Sequence, residues 1–410
     1  MLTGEPLNEA LDQAQAALDA AQDRAAQATP PPPVVVSTPR PLTGHPLVFA
    51  FPPLYGGGPT YQVLANAYNE AHPDVRVEIV GPYQVQEADC FADSTLVVAE
   101  GGQVRSLNLQ PLIEADAAFS LDDFTPSFLA ASTYQGDLWS LPLDAQPRVM
   151  LYNRALFDAA SLSYPAPGWT LDDFLADAIV LTAGSGEDKV YGFMPLNGET
   201  SDLPVLLAMQ GAQLWDEQGQ PRFDAPDVVA ALRWYSDLIL TYGVTPASPD
   251  EETRRELLFS GHVAMWTDFA GMGDSDAWPM GSEVGVAPLP LREVGAQGVT
   301  ELLYNGLYIA ADTDHQQECW EWIKFLSAQN TLVQGMPARR SALESDEFAA
   351  WVGADTAATY RALLDYANVP MFPSLAAAGK LQWLYQALED VLNGASPEAA
   401  LAEAQRRAEE

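Results

Sequence analysis

Residues 46–80 read PLVFAFPPLYGGGPTYQVLANAYNEAHPDVRVEIV, and this stretch decides the fold class. Pro46-Leu47-Val48-Phe49-Ala50-Phe51 is short, apolar and β-prone, which predicts a strand. Pro52 to Pro59, with Gly56-Gly57-Gly58 inside it, is a loop. Thr60 then caps a helix that turns Tyr61, Leu64, Ala67 and Tyr68 inward, and His72-Pro73-Asp74 stops it. Val75-Arg76-Val77-Glu78-Ile79-Val80 alternates as a second strand. Strand, loop, helix and strand in that order imply a parallel pair with a right-handed crossover, hence an α/β fold. Strands and helices go on alternating along most of the chain, which becomes nearly all helical after about residue 312.

The chain has 410 residues, enough for two or three compact units, and 48 % of them are hydrophobic, enough for sizeable cores. No run of about 18 uncharged apolar residues occurs, so no membrane-spanning helix is expected. With 56 acidic against 19 basic residues the formal net charge is −37. Such a surface repels phosphate backbones and anionic headgroups, which argues against nucleic acid and direct membrane adsorption. The plain reading of the charge is solubility, and a cationic ligand is the sharper alternative. Lysine occurs only at Lys189, Lys324 and Lys380. Base composition and heat adaptation explain that equally well.

Cys90 and Cys319 belong to no CxxC, and His45, His72, His262 and His315 lie scattered without ligand spacing, so neither a metal nor a cofactor is expected. In an oxidising compartment the two cysteines would close one disulfide around a very long loop; in a reducing one they would be ordinary buried thiols.

Ahead of the globular pattern, residues 1–28 hold an amphipathic helix, with Leu7, Ala10, Leu11, Ala14, Leu18 and Ala21 at helical spacing. Residues 29–43 form a proline-rich linker built on Pro30-Pro31-Pro32-Pro33. The segment has neither a basic n-region nor an apolar h-region, so it is not a signal peptide. At an ungapped offset of 390, Leu2, Gly4, Ala10, Leu11, Ala14 and Gln15 meet Leu392, Gly394, Ala400, Leu401, Ala404 and Gln405. Two alanine-rich helices matching by chance is one explanation. The other is that residues 1–28 are the tail of an upstream copy of the same domain, making the parent a tandem protein whose export signal lies further upstream.

From residue 44 the order of motifs resembles the extracellular solute-binding proteins of ABC importers, the family of maltose-binding protein. The opening strand, the glycine loop and LANAYNEAHPDVRVEIV look like that family's start. LWSLPLDAQPRVMLYNRALFDAASLSYPAPGWTLDDFLADAIVLT (138–182) is similar to its crossing strand, Tyr-Asn, and Trp-Thr helix opening. YGF, MQGAQLWDEQGQPRFDAPDVVAALRWYSDLILTYGV, LFSGHVAMW, GVAPLP, CWEWIKFLS, PARRSAL and LNGASPEAALAEAQ follow in the family's order, and the resemblance covers residues 44–408. The family pattern has a further Gly-Trp after the VAM strand, where this chain has Phe269-Ala270-Gly271-Met272 and reaches Trp278 only later. Local readings agree with the motifs. Thr170 to Asp173 resembles a helix cap with an acidic residue three positions on, and Trp169 before it is a buried staple. Val228, Ala231, Leu232, Tyr235 and Leu238 form one apolar helix face, as do Trp320, Ile323 and Leu326. His262 is a surface turn residue.

The resemblance implies a two-lobed periplasmic-binding-protein fold, each lobe a mostly parallel sheet flanked by helices, with a hinge of crossing strands. Lobe 1 is expected at 44–143 plus about 270–330, and lobe 2 at 144–269 plus about 331–410. It implies a solute held where strands end in loops and helix N-termini, lobes that close by hinge rotation, and an ABC permease that recognises the closed form. Sugar binders need aromatic faces and planar polar groups, because buried hydroxyls must be paired. On that basis the candidate ligand contacts are Tyr55 and Gly56 after the first strand, Asp93 and Ser94, and Asp144 and Gln146 at the crossing. Trp266 and Asp268 follow near the return crossing. Tyr304, Asn305 and Gly306 are read as a tight turn before a strand, and Trp383 as an aromatic ahead of the penultimate helix.

The expected function is extracellular capture of a solute, preferably a carbohydrate, by a monomer or one half of a tandem protein. A surface sensor, or a binder of a polyamine or amino acid derivative, is the alternative. No GxSxG, HExxH, Walker or GxGxxG motif stands in a suitable context, so catalysis is not expected.

Overall fold

The computed structural model describes residues 46–51, 58–93, 106–134, 136–195, 199–247, 249–270, 284–329, 335–368 and 375–410. The chain forms two compact units, the first Met1–Asp144 with Tyr304–Arg340, the second Ala145–Leu303 with Ser341–Glu410. In chain order the elements that matter here are β1 (Leu47–Ala50), α1 (Gly58–Ala71), β2 (Val77–Val80), β3 (Cys90–Asp93), β4 (Leu141–Asn153) and α2 (Leu171–Leu181). There follow β5 (Tyr191–Pro195), α3 (Glu199–Met209), α4 (Pro226–Leu240), β6 (Val263–Phe269) and β7 (Val284–Ala287). The last are β8 (Leu302–Ile309), α5 (Gln316–Ser327), α6 (Leu381–Leu392) and α7 (Pro397–Glu409).

In the first unit β1 pairs in parallel with β2, Phe49 opposite Ile79, and with β3, Phe49 opposite Cys90. The crossover expected from residues 46–80 is therefore present. β8 closes this side antiparallel to β3, Tyr308 opposite Phe91. α1 buries Tyr61, Leu64, Ala65 and Tyr68, a single stripe at i, i+3, i+4 and i+7. Ala67, expected inward, is exposed because it lies off that stripe, and Ala65 takes its place. α5 covers the sheet with Trp320, Ile323 and Leu326 wholly buried, as their spacing predicts. Its Trp322 meets Phe49 edge-on at 5.8 Å and Tyr68 at 5.0 Å, a geometry in which ring edges face π-clouds.

In the second unit β4 lies antiparallel to β6 and to β7, while β5 runs parallel to β6. One apolar core joins Met150, Phe174, Phe193, Leu206, Leu232, Tyr235, Leu384 and Leu401. Each helix reaches it for a local reason. Thr170 and Asp173 form a reciprocal capping box that starts α2, a device worth about 1 kcal/mol. Trp169 is buried beside it and donates its indole N–H to Pro288 O at 2.8 Å. The α4 face of Val228, Ala231, Leu232, Tyr235 and Leu238 is buried throughout. His262 sits in the turn before β6, sharing a 2.6 Å hydrogen bond with Ser260. After α6 the backbone at Gly394 has φ +101, a left-handed conformation that favours glycine. Ser396 then caps α7.

Candidate functional site

The polar groups of the first unit converge at the ends of β3 and β8. Asp93 closes β3 and faces Gly306 across the antiparallel pair. Next along β8, Asn305 donates its amide to Asp144 Oδ1 at 2.7 Å, with both side chains buried. That bond fixes the orientation of the amide, so its other end is an acceptor. Asn305 Oδ1 is buried and meets no hydrogen-bond donor among the described residues. An unmet buried acceptor costs about 1–3 kcal/mol.

Tyr304 holds the strand from behind. Its hydroxyl lies 2.6 Å from Ser132 Oγ and 2.8 Å from Ser140 Oγ. Burial raises this phenol well above its ordinary pKa, with the charge of Asp144 adding to the rise. Gly306 is not in a turn: β8 runs from Leu302 to Ile309, so residues 304–306 are extended strand. Its missing side chain matters for another reason. A Cβ there would stand 2.7 Å from the Tyr304 hydroxyl and 3.0 Å from Ser140 Cβ. Tyr61, which the sequence reading placed in the core, also belongs here. Burial and then the Asp144 charge raise its pKa, and its ring packs on Phe49 at 5.3 Å and Phe51 at 6.2 Å.

In the second unit the sequence reading singled out Gln146, Trp266, Asp268 and Trp383. Gln146 is 9 % exposed in β4. Trp266 is wholly buried in β6, with Leu151 and Met194 as its neighbours on either strand. The Asp268 carboxylate accepts the Phe269 N–H at 2.8 Å. Trp383 stands inside α6, not ahead of it, half-buried against the core with the Arg407 guanidinium 5.0 Å from its ring.

The most concentrated charge in this unit lies outside the residues expected from sequence. Arg148 is wholly buried, with Nη1 donating to Asp202 and Nε to Glu301 Oε2 at 2.8 Å. Thr267 Oγ1 donates to Asp202 Oδ2 at 2.5 Å, and the guanidinium lies 4.1 Å from the Phe269 ring. Two carboxylates share one guanidinium. Burial therefore pushes Asp202 up to about 6, against the pull of Arg148 and Thr267 and with help from Asp268 and Glu301. Burial raises Glu301 as well, opposed by Arg148. A single arginine directly ahead of the apolar run Val149-Met150-Leu151 is the available signal.

Of the other expected contacts, Tyr55, Gly56 and Ser94 lie outside the described residues, as do the segments 1–28 and 29–43. Cys90 in β3 and Cys319 in α5 are wholly buried thiols, each near enough to bear on the other's ionisation. No helix of the described residues is long and apolar enough to cross a membrane.

Comparison with known proteins adds four observations. A mannitol-binding protein of Pseudomonas aeruginosa is 28 % identical over 275 residues, covering 62 % of this chain and 62 % of its own length. The sugar-binding protein MalE of Xanthomonas citri superposes with a TM-score of 0.71 at 19 % identity, over 88 % of this chain and 96 % of that one. A solute-binding protein of Agrobacterium radiobacter K84 in complex with ribitol superposes with a TM-score of 0.63 at 24 % identity, over 90 % and 99 %. The structural likenesses establish the two-lobed periplasmic-binding-protein fold. The pattern of the bacterial extracellular solute-binding proteins matches residues 52–329, more than half of the 410, and the chain belongs to that family.

Proposed function

We propose that the protein captures a carbohydrate, or an open-chain polyol derived from one, outside the cell and delivers it to an ABC permease. The observation that carries this reading is the buried acceptor Asn305 Oδ1 beside the Asp144 carboxylate. A hydroxyl both donates and accepts, so it can satisfy that oxygen without bringing a charge into the site. Asp93, facing Gly306 one residue along, adds a second carboxylate nearby. The names of the relatives, mannitol-binding and ribitol-bound among them, support polyhydroxylated solutes. We read the role as binding and not catalysis, because no catalytic motif stands in the sequence and Arg148 holds the buried carboxylates of Asp202 and Glu301.

Titration calorimetry against mannitol, ribitol, maltose, an amino acid and a polyamine tests this. Saturable binding of a polyol or sugar, with the solute recovered unchanged, is the expected result. Tight binding of the polyamine with silence to every polyol and sugar would sink it, and turnover of a labelled oligosaccharide would sink the non-catalytic part.

We also infer that residues 1–28 close a further copy of this domain. The positions they share with the C-terminal end include the turn before α7 and residues by which α7 docks. Gly394 is the left-handed stop, and Ala400, Leu401 and Ala404 are buried. Gln405 accepts the Phe223 N–H at 2.7 Å and donates to Pro221 O at 3.0 Å. The buried alanines and leucine follow from amphipathic spacing alone, so the match of Gly4 to Gly394 and of Gln15 to Gln405 carries the reading. Intact mass of the native polypeptide decides: a tandem protein is about twice the length of this chain, and one of this length defeats the reading.

A further inference from the structure

Cys90 and Cys319 stand 229 positions apart in sequence (319 − 90) and meet in the core of the first unit. One chain of contacts through Phe49 brings them together. Cys90 opens β3 opposite Phe49 of β1, so the two side chains share a sheet face. Phe49 in turn touches Trp322, which lies three residues beyond Cys319 on the buried side of α5. Each thiol lies near enough to bear on the other's ionisation, and both residues are 0 % exposed. Each is thus the other's partner in a pocket closed to solvent.

We propose that Cys90 and Cys319 form a disulfide in the exported protein, made during folding and then sealed by it. This rests on the extracellular setting of the family and not on which solute is bound. The bond needs an oxidant, and a disulfide of an oxidoreductase or of a small-molecule thiol supplies it. One cysteine thiolate attacks that disulfide, forms a mixed disulfide and releases one thiolate. The second cysteine thiolate attacks the first protein sulfur and releases the other. Two protein thiols are oxidised, one external disulfide is reduced to two thiols, and the two protons pass to the leaving thiolates.

Timing follows from burial. In the folded unit burial raises both thiols, Cys319 furthest, so almost no thiolate exists to attack. No oxidant can reach a site with no exposed surface. The reaction therefore belongs to the interval after β3 and α5 approach and before they close. A chain folded in a reducing compartment keeps its thiols, and one folded in an oxidising compartment keeps its bond.

Unfolded, reduced full-length protein is refolded in two buffers, one holding a thiol–disulfide mixture and one holding excess reductant. Each sample is denatured in the presence of an alkylating reagent and weighed. We expect the first to carry no alkyl groups and the second to carry two. We also expect the oxidised form to melt about 5–15 °C above the reduced one, a loop this long being at the favourable end of such cross-links. Strong reductant applied to denatured oxidised protein should abolish the difference. A Cys90→Ser, Cys319→Ser variant should melt at the same temperature from both buffers. Two alkylated cysteines in protein refolded to its native circular dichroism in the oxidising buffer would overturn the proposal. Sugar binding is measured separately on each form, so loss of the disulfide claim and loss of the carbohydrate reading show up in different assays.

Discussion

Replacing Arg148 with methionine is the most informative single perturbation of the second unit. Methionine fills much of the arginine stem's volume but removes the cation that Asp202 and Glu301 share. Breaking a buried ion pair from one side costs about 3–5 kcal/mol, because the remaining charge has no partner. In a unit of this size that corresponds to a fall in melting temperature of about 6–20 °C. The pH dependence carries the mechanism. Asp202 is already held up to about 6 in the folded protein, above its ordinary carboxylate value. A group with a raised folded pKa favours folding below its unfolded pKa and loses that contribution as pH rises through the folded value. Without Arg148 both carboxylates rise further, so the variant's deficit should be small near pH 4–5 and full above about pH 7. Adding Asp202→Asn should recover part of the loss at pH 8 by removing one of the two unpaired charges. The assay is thermal unfolding of wild type and both variants across pH 4–8. A deficit that is the same at pH 5 and pH 8, or an Arg148→Met protein melting within about 1 °C of wild type, would refute the reasoning.

Other expectations follow from single contacts. Asn305→Leu removes the unmet acceptor and the bond to Asp144, so affinity for the solute found by calorimetry should fall about 10- to 100-fold while circular dichroism is unchanged. Gly306→Ala places a methyl 2.7 Å from the Tyr304 hydroxyl; displacing that phenol from Ser132 and Ser140 should cost about 1–3 kcal/mol in denaturant unfolding. Gln405→Ala leaves the Phe223 N–H and the Pro221 carbonyl without their α7 partner, and about 1–2 kcal/mol should be lost, read as a lower denaturation midpoint at unchanged slope.

What was legible in the sequence is what depends on near neighbours along the chain. The Thr170–Asp173 cap, the α4 face and the α5 stripe are relations between residues a few positions apart, and the β1–α1–β2 crossover joins neighbouring elements, so periodicity, capping chemistry and element order state them directly. Even there one inward residue went to Ala67 in place of Ala65, since alanine carries little signal of which face it occupies. Several candidate contacts were legible through family order, and Asp93, Asp144, Asn305 and Gly306 do come together in the first unit.

Tertiary structure alone decided the rest. Arg148 finds Asp202 54 positions away and Glu301 153 away, and no local pattern encodes a partner at that distance. Gly306 reads as a turn residue in sequence because glycine usually marks one, whereas here it makes room for a tyrosine hydroxyl two positions back in the same strand. Whether Cys90 and Cys319 could meet was open until β3 and α5 were seen packed against one core. Composition and periodicity determine which faces are buried, and therefore the fold class. Which buried polar groups meet is set by how those faces dock, and that information is shared among residues too far apart in the chain for either one to announce the other.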